Sequence, residues 1–143
     1  MKVSVITATW NSGKTLCTTL DSVLSQSYPD IEHIIVDGGS TDNTMEIVRE
    51  YEPRYNGRLR FISEPDKGLY DAMNKGIRMS TGEVVGILNS DDFYTSSDVV
   101  EKLEKELATN RVDAVYGDIH FVDGNDSVSY THLRAHETLA NLV

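Results

Sequence analysis

Glu83-Val84-Val85-Gly86-Ile87-Leu88-Asn89-Ser90-Asp91-Asp92 is an apolar run that stops abruptly at two adjacent carboxylates. Its short length and β-branched content read as a buried strand over residues 83–88. In an open α/β sheet, ligands bind beyond the carboxyl ends of the strands, so chemistry belongs at residues 89–92. Two neighbouring Asp side chains repel each other unless water or a cation offsets their charge. A hard divalent ion with oxygen ligands, Mg2+ or Mn2+, is the natural candidate. Asp also favours solvated turns and helix caps, so the pair alone leaves both readings open.

The rest of the chain repeats the same unit. Residues 2–7 alternate and are β-branched, which predicts a buried strand. Leu16, Leu20, Val23 and Leu24 then recur at helical spacing, with Asn11 or Ser12 as cap and Pro29 beyond the end. Residues 31–37 form a second strand running into Gly38-Gly39. A helix follows, capped within residues 40–43, with Met45, Ile47, Val48 and Tyr51 as its apolar face. Pro53 and Gly57 punctuate a loop before a third strand over residues 58–63. Leu69, Ala72, Met73 and Ile77 mark a third helix, ending near Gly82, and Val99, Val100, Leu103 and Leu107 a fourth. Residues 113–122 close with one or two more strands. Such alternation means a parallel sheet covered by helices on both faces, of four to five strands ending at Thr7, Asp37, Ser63 and Leu88. Right-handed crossovers put every strand C-terminus on one side. Thr7 and Thr9, Asp37, residues 64–67 and residues 89–92 should therefore meet at one cleft.

A length of 143 residues suits one modest domain. The net charge of -10 argues against nucleic acid as a partner. A phosphate-bearing substrate would then need a metal to supply positive charge. The single cysteine, Cys17, allows no internal disulfide and is expected as a small buried or half-buried thiol. No run approaches the roughly 18 apolar residues of a membrane span. A reducing cytoplasm is the expected location.

Val128-Ser129-Tyr130-Thr131-His132-Leu133-Arg134-Ala135-His136-Glu137-Thr138 resembles the translation of a transposase sequencing adapter, and the resemblance resumes at Leu142-Val143. On that reading residues 128–143 are a non-native tail without specific packing, and the natural sequence continues beyond residue 127. His132 and His136 have a helical i, i+4 spacing that would suit a metal pair, but they fall in this tail and are set aside.

Ala8-Thr9-Trp10-Asn11-Ser12-Gly13-Lys14-Thr15 fits a relaxed phosphate-loop pattern between a strand and a helix. This is the competing reading, an ATP- or GTP-binding protein. Against it, the loop has one glycine, with Trp10 and Asn11 where a backbone must wrap closely around phosphates. It also leaves Asp91-Asp92 and Glu64-Pro65-Asp66-Lys67-Gly68 without roles.

Val5-Ile6-Thr7-Ala8-Thr9-Trp10-Asn11, Ile35-Val36-Asp37-Gly38-Gly39-Ser40-Thr41-Asp42 and Leu88-Asn89-Ser90-Asp91-Asp92 together resemble a family 2 glycosyltransferase. Glu64-Pro65-Asp66-Lys67-Gly68-Leu69-Tyr70-Asp71-Ala72-Met73-Asn74-Lys75-Gly76 resembles the subgroup that builds bacterial exopolysaccharides and cell-surface glycans. The resemblance runs in order from Lys2 to about Asp123. It implies a GT-A (Rossmann-like) fold, mainly parallel and flanked by helices, here C-terminally truncated, with residues 1–127 as the nucleotide-sugar-binding part. It also implies a nucleotide-sugar donor, a divalent metal, and inversion at the anomeric carbon.

Carried over residue by residue, Thr7, Ala8, Thr9 and Trp10 would form one wall of the base pocket. Asp37 would accept a hydrogen bond from the nucleoside, a UDP-sugar being the expected donor. Asp91 would face the ribose and Asp92 would hold Mg2+ or Mn2+ on the diphosphate. Asn89 stands where many relatives have a third Asp, which bears on metal affinity and donor choice. Lys67 would assist the phosphates, and Asn74 and Gly76 would shape the third helix against the nucleotide. Gly38, Gly39 and Gly68 read as backbone-permissive turns. The expected acceptor is a glycan or lipid-linked saccharide, with peripheral association at the inner face of the cell membrane. An inverting transfer also needs a carboxylate base, which nothing before Val128 supplies; Asp118 comes too early. The whole enzyme is then expected to have roughly 250 residues.

Overall fold

Val3–Thr9 forms β1, apolar or hydroxyl-bearing along its length and buried at all but one position. In the computed structural model, which describes residues 1–117 and 133–136, it lies inside a sheet of order β3-β2-β1-β4. The neighbours are β2 (Ile31–Asp37), β3 (Leu59–Ser63) and β4 (Val84–Ile87), and every pairing is parallel. Parallel neighbours require crossovers. These are α1 (Leu16–Leu24), α2 (Thr44–Tyr51) with a 3₁₀ turn at Glu52–Tyr55, and α3 (Leu69–Met79).

The expected strand ends are close to those found. β1 continues to Thr9, which pairs with Asp37, and the Gly38 amide then donates to Thr9 O at 2.9 Å. β4 stops at Ile87, although the Leu88 amide still donates to Ile6 O at 3.0 Å. Asp37 ends β2 and Asp92 follows the C-terminal end of β4, both parallel to β1, as the alternation requires.

Right-handed crossovers place α1 and α2 on one face of the sheet and α3 on the other. On the α3 face, Ile6, Ile34, Val36 and Ala72 form a core cluster. Here the expected apolar face of α3 is corrected. Leu69 and Ile77 are about half exposed, while Ala72 and Gly76 are the buried positions. A Cβ on Gly76 would lie 2.4 Å from Ile6 Cγ2, so small residues let the helix backbone approach the sheet. On the opposite face Leu16, Leu20 and Val23 of α1 and Ile47, Val48 and Tyr51 of α2 are buried. Cys17 falls outside that stripe and is exposed, contrary to expectation.

The first helix also begins later than predicted. Ser12 O accepts the amides of Thr15 and Leu16 in a preliminary turn, and the helix starts at Leu16. Asn11 is left-handed, with φ of 49°. Its side chain serves a different element, accepting the Thr41 amide at 2.8 Å and the Asp42 amide at 3.3 Å.

The chain divides into two compact units, residues 1–99 and 100–143. Beyond the parallel sheet come α4 (Val99–Asn110), β5 (Ala114–Gly117) and β6 (Leu133–His136), with β5 and β6 paired antiparallel. β5 is one of the strands expected over residues 113–122; Asp118 lies outside the described residues. β6 pairs with β5 and not with the parallel sheet, whereas residues 128–143 are expected to lack specific packing against the domain. A β-ladder is made by backbone groups, so an open strand edge accepts an extended segment whatever its sequence. Among the described residues, no helix is long and apolar enough to cross a membrane.

Candidate functional site

The turns after β1 and β2 are laced together by side chains reaching across. The Asn11 amide donates to Ser40 Oγ at 2.8 Å, the Ser12 amide to Thr44 Oγ1 at 2.9 Å, and the Gly13 amide to Asp42 Oδ2 at 3.0 Å. Asp42 Oδ1 in turn accepts the Thr44 amide and hydroxyl, and the Thr44 hydroxyl is the largest cause holding the Asp42 carboxyl below its usual range. These contacts bear directly on the phosphate-loop reading. The amides that would cradle phosphates are occupied, one of them by a carboxylate that would repel an anion.

Asp37 is the centre of the second turn. Its side chain is buried, and its carboxylate accepts Thr9 Oγ1 at 2.7 Å, Ser40 Oγ at 2.5 Å, the Gly39 and Ser40 amides at 3.1 and 2.9 Å, and Ser63 Oγ at 2.8 Å. Burial opposes ionisation, but the donors, led by Ser40, outweigh it and hold the carboxyl below its usual range. A carboxylate has about four acceptor positions, and this one is full. A nucleobase could bond to Asp37 only by displacing one of these donors.

Beside these turns lies a cleft of about 400 Å3, lined by Ala8, Thr9, Trp10, Gly38, Asp66, Gly68, Leu69 and Ala72. The ends of β1 and β2, the loop before α3 and its first turns contribute, as the alternation predicts, whereas Asp37 and residues 89–92, expected at the same cleft, do not line it. Trp10 projects here with 68% of its surface exposed, a large cost for an indole without a partner. Among the expected wall residues, Ala8, Thr9 and Trp10 line the cleft and Thr7 does not. Thr7 shares the strand face of Thr9 but lies two residues deeper in β1, where its hydroxyl is buried 2.8 Å from His33 Nε2.

The loop leading into α3 is held by ion pairs. Lys75 Nζ lies 3.1 Å from both Glu64 Oε1 and Pro65 O, and 3.7 Å from Asp71 Oδ2. The Lys67 amide donates to Asp71 Oδ2 at 2.9 Å and is the main reason the Asp71 carboxyl sits below its usual range. Lys67 and Asn74 are exposed, and neither lines the cleft.

The segment after β4 is braced by the first crossover. Ser12 Oγ donates to Ser90 Oγ at 2.9 Å and Thr15 Oγ1 to Ser90 O at 2.9 Å. Thr19 Oγ1 lies 3.1 Å from Ser90 O and 2.5 Å from Asp92 O. These bonds fix the backbone of residues 90–92 and leave the Asp91 and Asp92 side chains exposed. Asp92 is the described carboxyl whose proton affinity is raised, first by partial burial and then by the charge of Asp91, against a hydrogen bond from Asn89. Among the described residues no group of three or more His, Cys, Asp or Glu could enclose an ion. Two adjacent, mutually repelling carboxylates, although neither lines the cleft, still fit a hard cation that takes its other oxygens from phosphates and water.

Sequence reasoning placed Asp66 at the cleft with residues 64–67 but missed three things: the lacing by Ser12, Asp42 and Ser90, the saturation of Asp37, and the presence of Leu69 in the cleft. Asp66-Lys67-Gly68 carried the one available signal, an Asp two residues before a turn glycine, and Asp66 Oδ1 does accept the Gly68 amide at 3.0 Å.

Comparison with known proteins agrees with this geometry. The model of the family described as "Glycosyl transferase family 2" matches residues 4–141. A PGL/p-HBAD biosynthesis glycosyltransferase of Mycobacterium bovis is 36% identical over 117 residues, covering 81% of this chain and 46% of that protein. An uncharacterized glycosyltransferase of Nostoc sp. is 33% identical over 126 residues, covering 88% of this chain and 39% of the relative. The chain thus spans less than half the length of these relatives. Among solved structures, S. aureus TarS in complex with UDP-GlcNAc superposes with a TM-score of 0.72 at 29% identity, over 80% of this chain and 33% of that one. The mannosyltransferase PcManGT from Pyrobaculum calidifontis, in complex with GDP-Man and Mn2+, gives 0.73 at 29% identity, over 87% and 36%.

Proposed function

The chain belongs to glycosyl transferase family 2, and from that premise we propose that it is the donor-binding part of an enzyme transferring a sugar from a nucleotide-diphosphate sugar, a UDP-sugar first, to a glycan or lipid-linked acceptor. The observation that carries this reading is the meeting of the β1, β2 and α3 ends in one cleft, with a carboxylate pair braced through the same crossover. The relatives solved with UDP-GlcNAc and GDP-Man support it.

In this reading Ala8, Thr9 and Trp10 wall the base, and the Trp10 indole offers an apolar surface for it. Asp37 holds the two turns in register through Thr9, Ser40 and Ser63. Asp91 would face the ribose, Asp92 would hold Mg2+ or Mn2+, and Lys67 would reach the phosphates from the loop before α3. When bound, such a cation supplies positive charge as the diphosphate departs. The reaction is proposed to invert the anomeric carbon, with the general base and the acceptor site supplied by sequence outside residues 1–127. Residues 128–143 are proposed to contribute nothing to donor binding. The place of action is proposed as the cytoplasmic face of the membrane, reached by peripheral association.

The test is calorimetric titration of UDP and GDP with and without Mn2+, on the chain and on Asp92→Asn. Binding that requires the cation and is lost in Asp92→Asn supports the reading. Binding indifferent to both would make the cleft a metal-free module.

A further inference from the structure

Two stripes run along α1. Leu16, Leu20 and Val23 form its buried apolar face. Beside them Ser12, Thr15, Thr19, Ser22 and Gln26 recur at i, i+3, i+7, i+10 and i+14, a second line along the same helical surface. This polar line holds the loop after β4 at several points. Ser12 Oγ donates to Ser90 Oγ and Thr15 Oγ1 to Ser90 O, both at 2.9 Å. Farther along, Gln26 Nε2 donates to Ser96 O and the Ser27 amide to Ser97 O, both at 2.7 Å. Thr19 stands between them, fully buried, with Oγ1 3.1 Å from Ser90 O and 2.5 Å from Asp92 O.

Thr15 is the N-cap residue of α1, yet its hydroxyl makes no capping bond and reaches Ser90 O instead. A threonine within a helix commonly bonds the carbonyl one turn back. Thr19 turns its single hydroxyl proton outward. With Ser90 O already served by Thr15, that proton goes to Asp92 O, the nearer of its two acceptors. The two anchored carbonyls flank Asp91, and the Asp92 amide closes the turn on Asn89 O at 3.0 Å. The backbone bearing both carboxylates is thus set before a cation arrives, while their side chains are exposed. On a free backbone two like charges spread apart, and a cation must then draw them together at a cost in affinity. Resting on the reading of Asp92 as the cation ligand, we infer that Thr19 is a positioning residue of the cation-binding turn. Its hydroxyl, acting through Asp92 O, sets the affinity for Mg2+ or Mn2+.

The experiment titrates the full chain with Mn2+ in the presence of UDP and follows water-proton relaxation, which rises when the ion tumbles with the protein. It is repeated on Thr19→Val, Thr19→Ser, Thr15→Val, Thr18→Val and Asp92→Asn, each first checked by urea unfolding so that folded protein is titrated. Thr19→Val keeps the side-chain shape and removes the hydroxyl. It should weaken Mn2+ about tenfold or more, the usual effect of losing a group that orients a metal's ligand. Thr19→Ser should recover most of that loss. Thr15→Val leaves one Thr19 proton for two carbonyls and should weaken Mn2+ by a smaller factor; it carries the test if Thr19→Val folds poorly. Thr18 is exposed on the same helix, and Thr18→Val should bind Mn2+ as the wild type does. Wild-type affinity in Thr19→Val, or in Thr15→Val where that stands in for it, overturns the role of Thr19, as does a loss that Thr19→Ser fails to recover. The cation site itself stands in those cases as long as Asp92→Asn abolishes binding. Mn2+ held equally by wild type and Asp92→Asn, or held by neither, overturns the cation site and the role of Thr19 together.

Discussion

The Thr7 hydroxyl lies 2.8 Å from His33 Nε2, and that pairing fixes the state of a fully buried ring. Tyr55 OH donates to Leu20 O at 2.7 Å, so at 3.1 Å it accepts from His33 Nδ1. The proton is then on Nδ1, Nε2 accepts from Thr7, and the ring is neutral. Burial pushes its pKa down to about 3 from the ordinary 6.5. A depressed histidine contributes stability that is full above its unfolded value and lost as pH falls toward the folded one. The depressed carboxyls of Glu32 and Asp37 act in the same direction at lower pH. Chemical denaturation should show stability falling below about pH 6.5 with a slope of up to ~1.4 kcal/mol per unit. His33→Gln should flatten the profile down to about pH 5; an unchanged slope would assign the acid sensitivity elsewhere.

Asp37→Ala strands the Thr9, Ser40 and Ser63 hydroxyls and two turn amides around a cavity. Losing charge-assisted bonds at a buried site should cost about 3 kcal/mol or more. The loss should show in urea midpoints of the ligand-free chain. A variant of normal stability that fails only in nucleotide binding would restore Asp37 as a direct ligand contact.

Gly76→Ala tests the approach of α3 to the sheet. Alanine should favour the helix by up to ~1 kcal/mol. Its Cβ would meet Ile6 Cγ2 at 2.4 Å, and overpacking a rigid core costs about 1–3 kcal/mol. Thermal unfolding should show a net loss of stability. A gain would mean that the helix can shift freely on Ile6 and Ile34.

The alternation of apolar runs at two periods was enough to read the parallel sheet, its crossovers and the side on which polar ends gather. Those features follow from burial and handedness, which sequence records directly. What each polar residue does at that edge is set by partners distant in the chain. Asn11 was legible as a helix cap but serves the turn at Thr41 and Asp42 instead. Thr7 was legible as a strand-end residue, yet β1 runs on to Thr9 and leaves Thr7 buried against His33, short of the cleft. Gly38 and Gly39 look alike in sequence. Gly39 has a φ of 93°, whereas Gly38 makes room for Asp66, a difference visible only once β2 and the loop before α3 are side by side.

Asp92→Asn should have opposite effects with and without cation. In the free chain, partial burial and the Asp91 charge disfavour an ionised Asp92, so neutralising it should raise the melting temperature slightly. The sign is that of a raised carboxyl: its contribution improves as pH falls toward the folded pKa. Added Mn2+ with UDP should stabilise the wild-type chain by mass action and the variant far less. Equal stabilisation of both would remove Asp92 from the cation site.

The most direct measurement of the central claim is calorimetric titration of this chain with UDP, GDP and ATP in Mn2+, set beside the same titrations of Asp92→Asn and Lys14→Ala. The account predicts that UDP or GDP binds, that chelation and Asp92→Asn abolish binding, and that Lys14→Ala leaves it unchanged. Binding of ATP that disappears in Lys14→Ala, or no binding of UDP or GDP at all, would contradict it.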